Sequence, residues 1–308
     1  MRHRRPALLL AAATAAALAV AALGVPALAT PAGAAGRGKG VAKVDVVAGF
    51  YPLAWAAERV GGKRVAVRNL TPAGTEPHDL ELTTDQRDDI QDADVVLLLG
   101  DGFQSAVEDA AEARDSGTVE LLRRLPIDHR AGKLDPHVWL DPGLMRSIVD
   151  ETAAALTKAD PAGAATYARN AAAVSAELDA LDTRFADGLA DCDRNLVVTA
   201  HEAFGYLAAA YGLRQLGVSG LAPDVEPDPK RLGELADLVE RKGVTTIFTE
   251  ELVSPRIAQT LAREAGGLRT ATLNPLEGLT AKEIARGDDY LSVMDTNLAR
   301  LRAALGCR

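Results

Sequence analysis

Short runs of aliphatic and β-branched residues alternate along the chain with longer segments in which apolar residues recur every three or four positions. The short runs are typical of buried strands, and the longer periodic segments are typical of amphipathic helices. Six strands are predicted in this way: Val44–Ala48, Val65–Leu70, Val95–Leu99, Leu196–Ala200, Thr245–Thr249 and Thr270–Leu273. Because strands and helices alternate, we expect an α/β fold of mainly parallel sheets covered by helices.

A single long helical pattern separates the third predicted strand from the fourth. It opens at Asp160-Pro161, a pair that suits a helix N-cap followed by proline in the first turn. Apolar residues then recur at helical spacing: Tyr167, Ala171, Val174, Leu178, Leu181 and Phe185. A helix from Pro161 to Leu189 would be roughly 40 Å long, which exceeds what a crossover within one sheet requires. We therefore predict two α/β lobes joined by one rigid backbone helix.

The chain divides into five predicted segments: a signal peptide at 1–29, a flexible leader at 30–42, an N-terminal lobe at 43–159, the linking helix at 160–190 and a C-terminal lobe at 191–308. The first segment carries Arg2, Arg4 and Arg5, then an Ala-rich apolar stretch, and then the small-residue site Ala27-Leu28-Ala29. This order is typical of a cleaved export signal, with an uncleaved membrane anchor as the alternative. We therefore expect an extracytoplasmic protein, either periplasmic or secreted and associated with the cell surface.

Charge narrows the choice of partner. Removal of residues 1–29 takes away three arginines and no acidic residue, so the formal net charge changes from −9 to −12. An acidic surface of this kind argues against nucleic acid and anionic membranes as partners. It is compatible with a cation as the ligand.

Two cysteines, Cys192 and Cys307, are the only ones in the chain. In an oxidising compartment, an even pair far apart in sequence favours a disulfide over a metal site. We expect this bond to tie down the C-terminus.

Outside the first segment there are four histidines, and three of them follow patterns that stiffen the backbone. His137 lies in "DPHVWLDP", where each proline fixes its own φ and restricts the residue before it. His78 lies in the Pro/Gly loop "TPAGTEPHDLEL", and His201 follows the apolar run "NLVVTA", at the end of a strand where α/β sheets bind ligands. His129, in the polar stretch "PIDHRAGK", lacks such support and is interpreted as a surface residue.

A metal ion is the economical reason to hold imidazoles rigidly. Three neutral nitrogens and one carboxylate make a tetrahedral zinc site, and ligands from both lobes would place the ion in the cleft between them. The fourth ligand is expected from "TLNPLEGLT", which offers Asn274 or Glu277, or from "IFTEEL", which offers Glu250 or Glu251. Because an anionic oxygen binds a cation better than an amide does, Glu277 is the favoured candidate for the fourth ligand.

Five segments in order now carry a resemblance to the metal-binding solute-binding proteins of ABC transporters for zinc and manganese. They are "TPAGTEPHDLELTTDQ", "DPHVWLDP", "TAHEAFGYLAAAYGL", "IFTEELVSPRIAQTLAREAG" and "YLSVMDTNLARLRAAL". The similarity runs in order from about residue 43 to residue 304 and covers almost the whole of the expected mature chain. The resemblance implies two lobes joined by a rigid helix, with one ion bound between them and delivered to a membrane permease powered by a cytoplasmic ATPase.

The resemblance also implies a ligand set. His78 and His137 correspond to the first two ligands of the family, and His201 corresponds to the third, which is histidine in zinc-type members and often glutamate in manganese-type members. Zn²⁺ is therefore favoured over Mn²⁺. The fourth ligand stays open between Glu277, Asn274, Glu250 and a water molecule. Many zinc-type members carry a His-rich loop before the second histidine, and here that segment holds only His129.

Supporting roles follow from neighbouring residues. Trp139 is expected to shield the site from water, and Asp141-Pro142 is expected to begin the next helix as cap and first residue. Asp79 and Glu202 are candidates for holding the ring nitrogens that face away from the metal. Since histidine must lose its proton to bind metal, we expect the affinity to fall below about pH 6.5.

Three alternatives differ in ligand or in class: the same fold with Mn²⁺ as its ion, a surface adhesin or chaperone-fed zinc receiver, and a secreted zinc hydrolase. A hydrolase of the H-E-x-x-H type needs two histidines four residues apart, and the one His-Glu pair, His201-Glu202, has no second histidine at that spacing. We therefore expect a high-affinity zinc-binding transport protein that is not an enzyme and that acts as a monomer.

Overall fold

The computed structural model describes residues 43–128, 134–223 and 229–308. The predicted signal peptide, the predicted leader and His129 lie outside the described residues. Within those ranges, no helix combines the length and the apolar character needed to cross a bilayer.

Four parallel strands form the first sheet. They are β1 Val44–Ala48, β2 Val65–Asn69, β3 Val95–Leu98 and β4 Thr118–Glu120, arranged in the order β2-β1-β3-β4. The central strand β1 is flanked on both sides, with Val46 opposite Val67 in β2 and opposite Val95 in β3. The sequence did not predict β4, because an edge strand of three residues is too short to show a pattern.

A second sheet repeats this arrangement. Its strands are β5 Leu196–Thr199, β6 Arg214–Gly217, β7 Thr246–Thr249 and β8 Arg269–Thr272, all parallel and in the order β6-β5-β7-β8. Strand β6 was not predicted either, because its sequence "RQLG" lies at a half-exposed edge and carries two polar residues. The predicted α/β class with two mainly parallel sheets is confirmed.

Helices connect and cover the strands. They are α1 Tyr51–Gly61, α2 Thr84–Asp92, α3 Ser105–Glu112, α4 Pro142–Ala159, α5 Ala164–Leu189, α6 Gly205–Ala210, α7 Pro229–Arg241, α8 Arg256–Glu264, α9 Ala281–Arg286 and α10 Tyr290–Leu305. Several begin at side-chain caps, such as Asp141, which accepts a 2.7 Å hydrogen bond from the Gly143 N–H at the start of α4. The predicted Asp-Pro cap of that helix is thereby confirmed.

Helix α5 is the predicted long helix, and it starts slightly later than predicted. Residues Pro161–Gly163 form a 3₁₀ turn, and the α-helix proper has 26 residues, about 39 Å at the standard rise. Its buried stripe contains Tyr167, Ala171, Val174, Leu178, Leu181, Phe185 and Leu189. The helix packs against α1 and α4 from the first half of the chain and against α10 from the second half. The lobe limits 43–159 and 191–308 stay predictions.

The largest hydrophobic core is continuous between the two halves of the chain. It includes Phe50 and Trp139 from the first half, Tyr167 from α5, and Phe204 and Tyr290 from the second half, each no more than 1% exposed. Two smaller clusters cover the opposite faces of the sheets. Because one core extends through both lobes, it packs against the loops of both lobes where they meet.

The predicted disulfide is confirmed. Cys192 and Cys307 are bonded and lie 115 positions apart. The bond joins the segment before β5 to the residues that follow α10, so the C-terminus is fixed against the second sheet.

Candidate metal centre

The stiff turn around His137 ends in a specific carboxylate contact. Asp135 Oδ1 accepts hydrogen bonds from the backbone N–H of His137 at 2.9 Å and from its ring Nδ1 at 2.7 Å. The ring is completely buried, and its centroid lies 5.2 Å from that of Trp139, which is also fully buried. With Nδ1 engaged by Asp135, the ring presents Nε2 to the cleft, and Trp139 packs beside it as predicted.

His201 is held in the same way from a distant part of the chain. It lies two residues after β5, and its backbone N–H and ring Nδ1 donate to the two oxygens of Glu250 at 3.1 and 2.7 Å. Glu250 directly follows β7, the neighbouring strand, and is 6% exposed. Adjacent parallel strands therefore bring the imidazole and its carboxylate partner together.

His78 is the most accessible of the three imidazoles, with an 11% exposed side chain. Its backbone N–H donates to both oxygens of Glu76 at 3.1 and 3.2 Å. Gln104 Nε2 donates to the carbonyl oxygen of Pro77 at 3.3 Å, and the Phe103 ring packs edge-on against the imidazole with centroids 4.6 Å apart. These contacts hold the Pro/Gly loop in a defined position.

Glu277 lies in the loop after β8 and is 1% exposed. Its Oε1 lies 3.2 Å from Nε2 of His78 and 3.3 Å from Nε2 of both His137 and His201. The Nε2 atoms of His137 and His201 are themselves 3.3 Å apart. The four candidate ligand atoms all lie within 4.8 Å of one another.

These spacings match a tetrahedral zinc site. With Zn–N and Zn–O bonds of about 2.0–2.1 Å, the edges of a regular tetrahedron of ligand atoms are about 3.3 Å. Four of the six edges measure 3.2 to 3.3 Å, and the remaining two, from His78 to His137 and from His78 to His201, are no longer than 4.8 Å. Two of the residues come from the first half of the chain and two from the second, so an ion at their centre would lie between the lobes.

The electrostatics of the site also suit a cation. Burial opposes a charge on His201, yet the contacts with Glu250 and Glu277 raise its pKa to about 10. The pKa of His137 is raised in the same sense, since Asp135 and Glu277 outweigh its burial. Burial favours the neutral acid at Glu277, but the three imidazoles lower its pKa well below the usual value. A full negative charge is thus stabilised at the point where the imidazoles converge.

A further carboxyl group, that of Glu76, lies beside the cluster. Burial and the nearby charge of Glu277 raise the pKa of Glu76 to about 8. Its Oε1 lies 4.0 Å from His78 Nε2.

The four residues favoured from sequence, His78, His137, His201 and Glu277, meet at one point, and the alternative donors do not join them. Glu250 engages the far nitrogen of His201, and Glu251 is exposed. Asn274 donates a 2.9 Å hydrogen bond to Glu283 and accepts one of 2.7 Å from the Leu276 N–H. Both Glu250 and Asn274 therefore support neighbouring residues.

The predicted holders of the far ring nitrogens are corrected in part. Glu202 is exposed, and the ring Nδ1 of His201 is held by Glu250 instead. Asp79, the candidate next to His78, is exposed as well. At His137 the role is performed by Asp135, which was not among the candidates. The i, i+2 spacing of Asp135 and His137 was a signal that sequence reasoning could have used. The pairing of His201 with Glu250, 49 positions away, has no local signal.

Comparisons with known proteins agree with this geometry. Residues 46–304 match the sequence profile of the family described as "Zinc-uptake complex component A periplasmic". The chain is 37% identical over 287 residues to the zinc-binding protein AdcA of Streptococcus pyogenes, covering 84% of this chain and 56% of AdcA. It is also 32% identical to the high-affinity zinc uptake system protein ZnuA of Bacillus subtilis, covering 85% and 88% of the two chains.

A solved structure extends the likeness to three dimensions. The Zn(II)-bound ZnuA-like domain of Streptococcus pneumoniae AdcA superposes with a TM-score of 0.74 at 36% identity, covering 85% of this chain and 99% of that one. The chain spans only about half the length of the Streptococcus pyogenes relative, 56%. The match over residues 46–304 and the identity to zinc-uptake proteins establish that the chain belongs to the ZnuA family of zinc-uptake binding components.

Proposed function

We propose that this protein captures Zn²⁺ outside the cytoplasm and delivers it to an ABC permease powered by a cytoplasmic ATPase. His78, His137 and His201 each supply Nε2, and Glu277 supplies Oε1. The observation that carries the proposal is the convergence of these four atoms, with four of their six separations at 3.2 to 3.3 Å, from loops of both halves of the chain.

The donor set favours zinc over manganese. Three imidazoles and one carboxylate suit Zn²⁺, whereas Mn²⁺ prefers sites rich in oxygen and with more ligands. Asp135 and Glu250 strengthen the preference, because a carboxylate that accepts the Nδ1 proton makes Nε2 a better donor and fixes its direction.

A binding role is favoured over catalysis. Catalytic zinc sites usually have three protein ligands and leave one position for water, whereas four protein ligands close the coordination sphere. His137, His201 and Glu277 are also 1% exposed or less, which leaves little access for an organic substrate.

Export and delivery complete the proposal. Residues 1–29 are proposed as a cleaved signal peptide, in agreement with the periplasmic description of the family. The names of the relatives, zinc-binding AdcA and high-affinity zinc uptake ZnuA, support a cargo of zinc and a partner permease. The protein is proposed to work as a monomer.

Zinc competition tests the ligand assignment. The metal-stripped mature chain, residues 30–308, is titrated against a chromophoric zinc chelator in wild-type, His137→Ala and Glu277→Ala forms, with His129→Ala as a control that also removes one imidazole. We expect one tight site per chain, abolished in His137→Ala, weakened in Glu277→Ala and unchanged in His129→Ala. Scattered stoichiometry, or displacement of zinc by equimolar Mn²⁺, would show that the ligands or the metal are wrong.

A further inference from the structure

The residue before Glu277 has an unusual backbone. Leu276 has a φ of +56°, in the left-handed region that residues other than glycine, asparagine and aspartate rarely adopt. Its side chain is fully buried. Such a conformation persists only where the surroundings impose it, so the contacts around Leu276 determine where Glu277 points.

Asn274 makes the nearest of these contacts. Its Oδ1 accepts a 2.7 Å hydrogen bond from the Leu276 N–H, which closes a tight turn over Pro275. Its Nδ2 donates to Glu283 Oε1 at 2.9 Å, and the other oxygen of Glu283 accepts from the Thr280 N–H and hydroxyl at 2.8 Å. The side chain of Asn274 is therefore fixed at both ends.

Asn297 fixes the backbone of Asn274. It lies in the middle of α10 and is fully buried, and its Oδ1 accepts from the Asn274 N–H at 3.0 Å while its Nδ2 donates to the Asn274 carbonyl at 2.7 Å. A side-chain amide that makes both bonds to one residue holds that residue in position and orientation. The loop bearing Glu277 is thus anchored to a 16-residue helix.

With this loop fixed, Glu277 meets the imidazoles through one oxygen. Oε1 contacts all three Nε2 atoms, whereas Oε2 is buried and has no hydrogen-bond partner within the described parts of the chain. An unpaired buried carboxylate oxygen is unfavourable, so a looser loop would let the carboxylate turn and offer both oxygens to a metal.

We propose that Asn297, acting through Asn274, is a positioning residue that makes Glu277 a one-oxygen ligand and thereby favours Zn²⁺ over Mn²⁺. This inference rests on the proposed zinc site. Zinc is commonly bound by four ligands in a tetrahedron, whereas manganese binds more ligands and prefers oxygen. A second oxygen from Glu277 would therefore favour manganese.

The test compares Asn297→Leu, Asn297→Asp and the control Asn170→Leu in the mature chain. Asn170 also bonds a backbone carbonyl, that of Val60 at 2.9 Å, but it lies on α5. Zn²⁺ and Mn²⁺ affinities are measured by chelator competition. Co²⁺ is used as a spectroscopic probe, because tetrahedral Co²⁺ absorbs visible light far more strongly than Co²⁺ with six ligands.

In Asn297→Leu we expect zinc affinity to fall about 10- to 100-fold, the range seen when a supporting partner of a ligand is removed. Manganese affinity should fall less or rise, so that the zinc-to-manganese ratio drops about tenfold or more, and the Co²⁺ band should weaken. Asn297→Asp, which keeps the acceptor but not the donor, should change in the same direction by a smaller factor. Asn170→Leu should leave the ratio and the spectrum unchanged.

Equal losses for both metals, or an unchanged Co²⁺ band in folded Asn297 variants, would overturn the inference. If Asn297→Leu does not fold, the nearly isosteric Asn297→Asp decides the question by the same two readouts. Failure of the wild-type protein to bind zinc would instead contradict the proposed function, so the two failures are distinguishable.

Discussion

The indole Nε1 of Trp139 donates a 2.7 Å hydrogen bond to the carbonyl oxygen of Pro275. Trp139 lies two positions after His137, and Pro275 lies two positions before Glu277, so the bond joins a histidine-bearing turn of the first half of the chain to the glutamate-bearing loop of the second. The Tyr290 hydroxyl donates to the Trp139 carbonyl at 2.6 Å and extends the connection to α10. Two of the four proposed ligands are thereby held at a fixed distance.

Trp139→Phe removes this bond and leaves a buried carbonyl unpaired. We expect the free energy of unfolding to fall by about 1–3 kcal/mol and zinc affinity to decrease, because the two ligand segments are no longer joined. Trp55→Phe is the matched control, since Trp55 is 5% exposed and its Nε1 has no hydrogen-bond partner among the described residues. Denaturant unfolding and zinc competition measure both effects, and equal zinc affinities in the two variants would argue against the connection.

Glu250→Ala should weaken zinc binding although Glu250 is not proposed as a ligand. Loss of its bonds to the ring and backbone of His201 frees the imidazole to rotate, and we expect an affinity loss of about 10- to 100-fold. Glu251→Ala, at the adjacent exposed position, should have no such effect. Chelator competition at constant pH compares the two, and similar losses in both would indicate a general effect of charge.

Zinc should stabilise the protein more as the pH rises. The pKa of His201 in the metal-free protein is raised from 6.5 to about 10, so its bound proton stabilises the folded state fully below pH 6.5 and progressively less as the pH rises towards about 10. Zinc must displace that proton, and its net stabilising effect is therefore smallest at low pH. The stabilising effect of zinc therefore keeps increasing with pH above 6.5, the pKa of an unperturbed histidine, towards about 10.

Thermal unfolding with and without zinc measures this dependence. We expect the zinc-induced rise in Tm to be larger at about pH 8.5 than at about pH 5.5, and zinc binding at neutral pH to release protons. Calorimetry in buffers of different ionisation enthalpy counts those protons. The same rise in Tm at both pH values would contradict the carboxylate-raised pKa of His201.

Removal of the disulfide should affect stability more than zinc binding. The paired change Cys192→Ser and Cys307→Ser opens a loop of 115 positions, and the expected loss of unfolding free energy is about 2–4 kcal/mol. The zinc stoichiometry should stay at one, since the disulfide ties down the C-terminus and neither cysteine is among the four proposed ligands. Denaturant unfolding and zinc titration of the same sample separate the two properties.

Much of the fold follows from local properties of the sequence. Aliphatic runs mark six of the eight strands found in the described residues. The apolar spacing after Asp160-Pro161 marks α5, because burial on one face of a helix imposes a period that is visible in any single chain. The sequence likewise points to His78 and His137, since proline and glycine restrict the backbone near them, and to His201, since it follows a buried strand. Strands β4 and β6 were not predicted, because short or polar edge strands bury too few apolar residues to show a hydrophobic pattern in the sequence.

The choice among oxygen donors came from contacts between distant residues. Asn274 and Glu277 share one loop, and Asn297, 23 positions beyond Asn274, holds the backbone in the conformation that turns Asn274 towards Glu283 and Glu277 towards the imidazoles. Glu250 and Glu251 are adjacent in the loop that follows β7, yet only Glu250 contacts His201, and Glu251 is exposed. Periodicity records which positions are buried, but the direction of a buried polar side chain depends on hydrogen-bond partners that only the folded chain brings within reach.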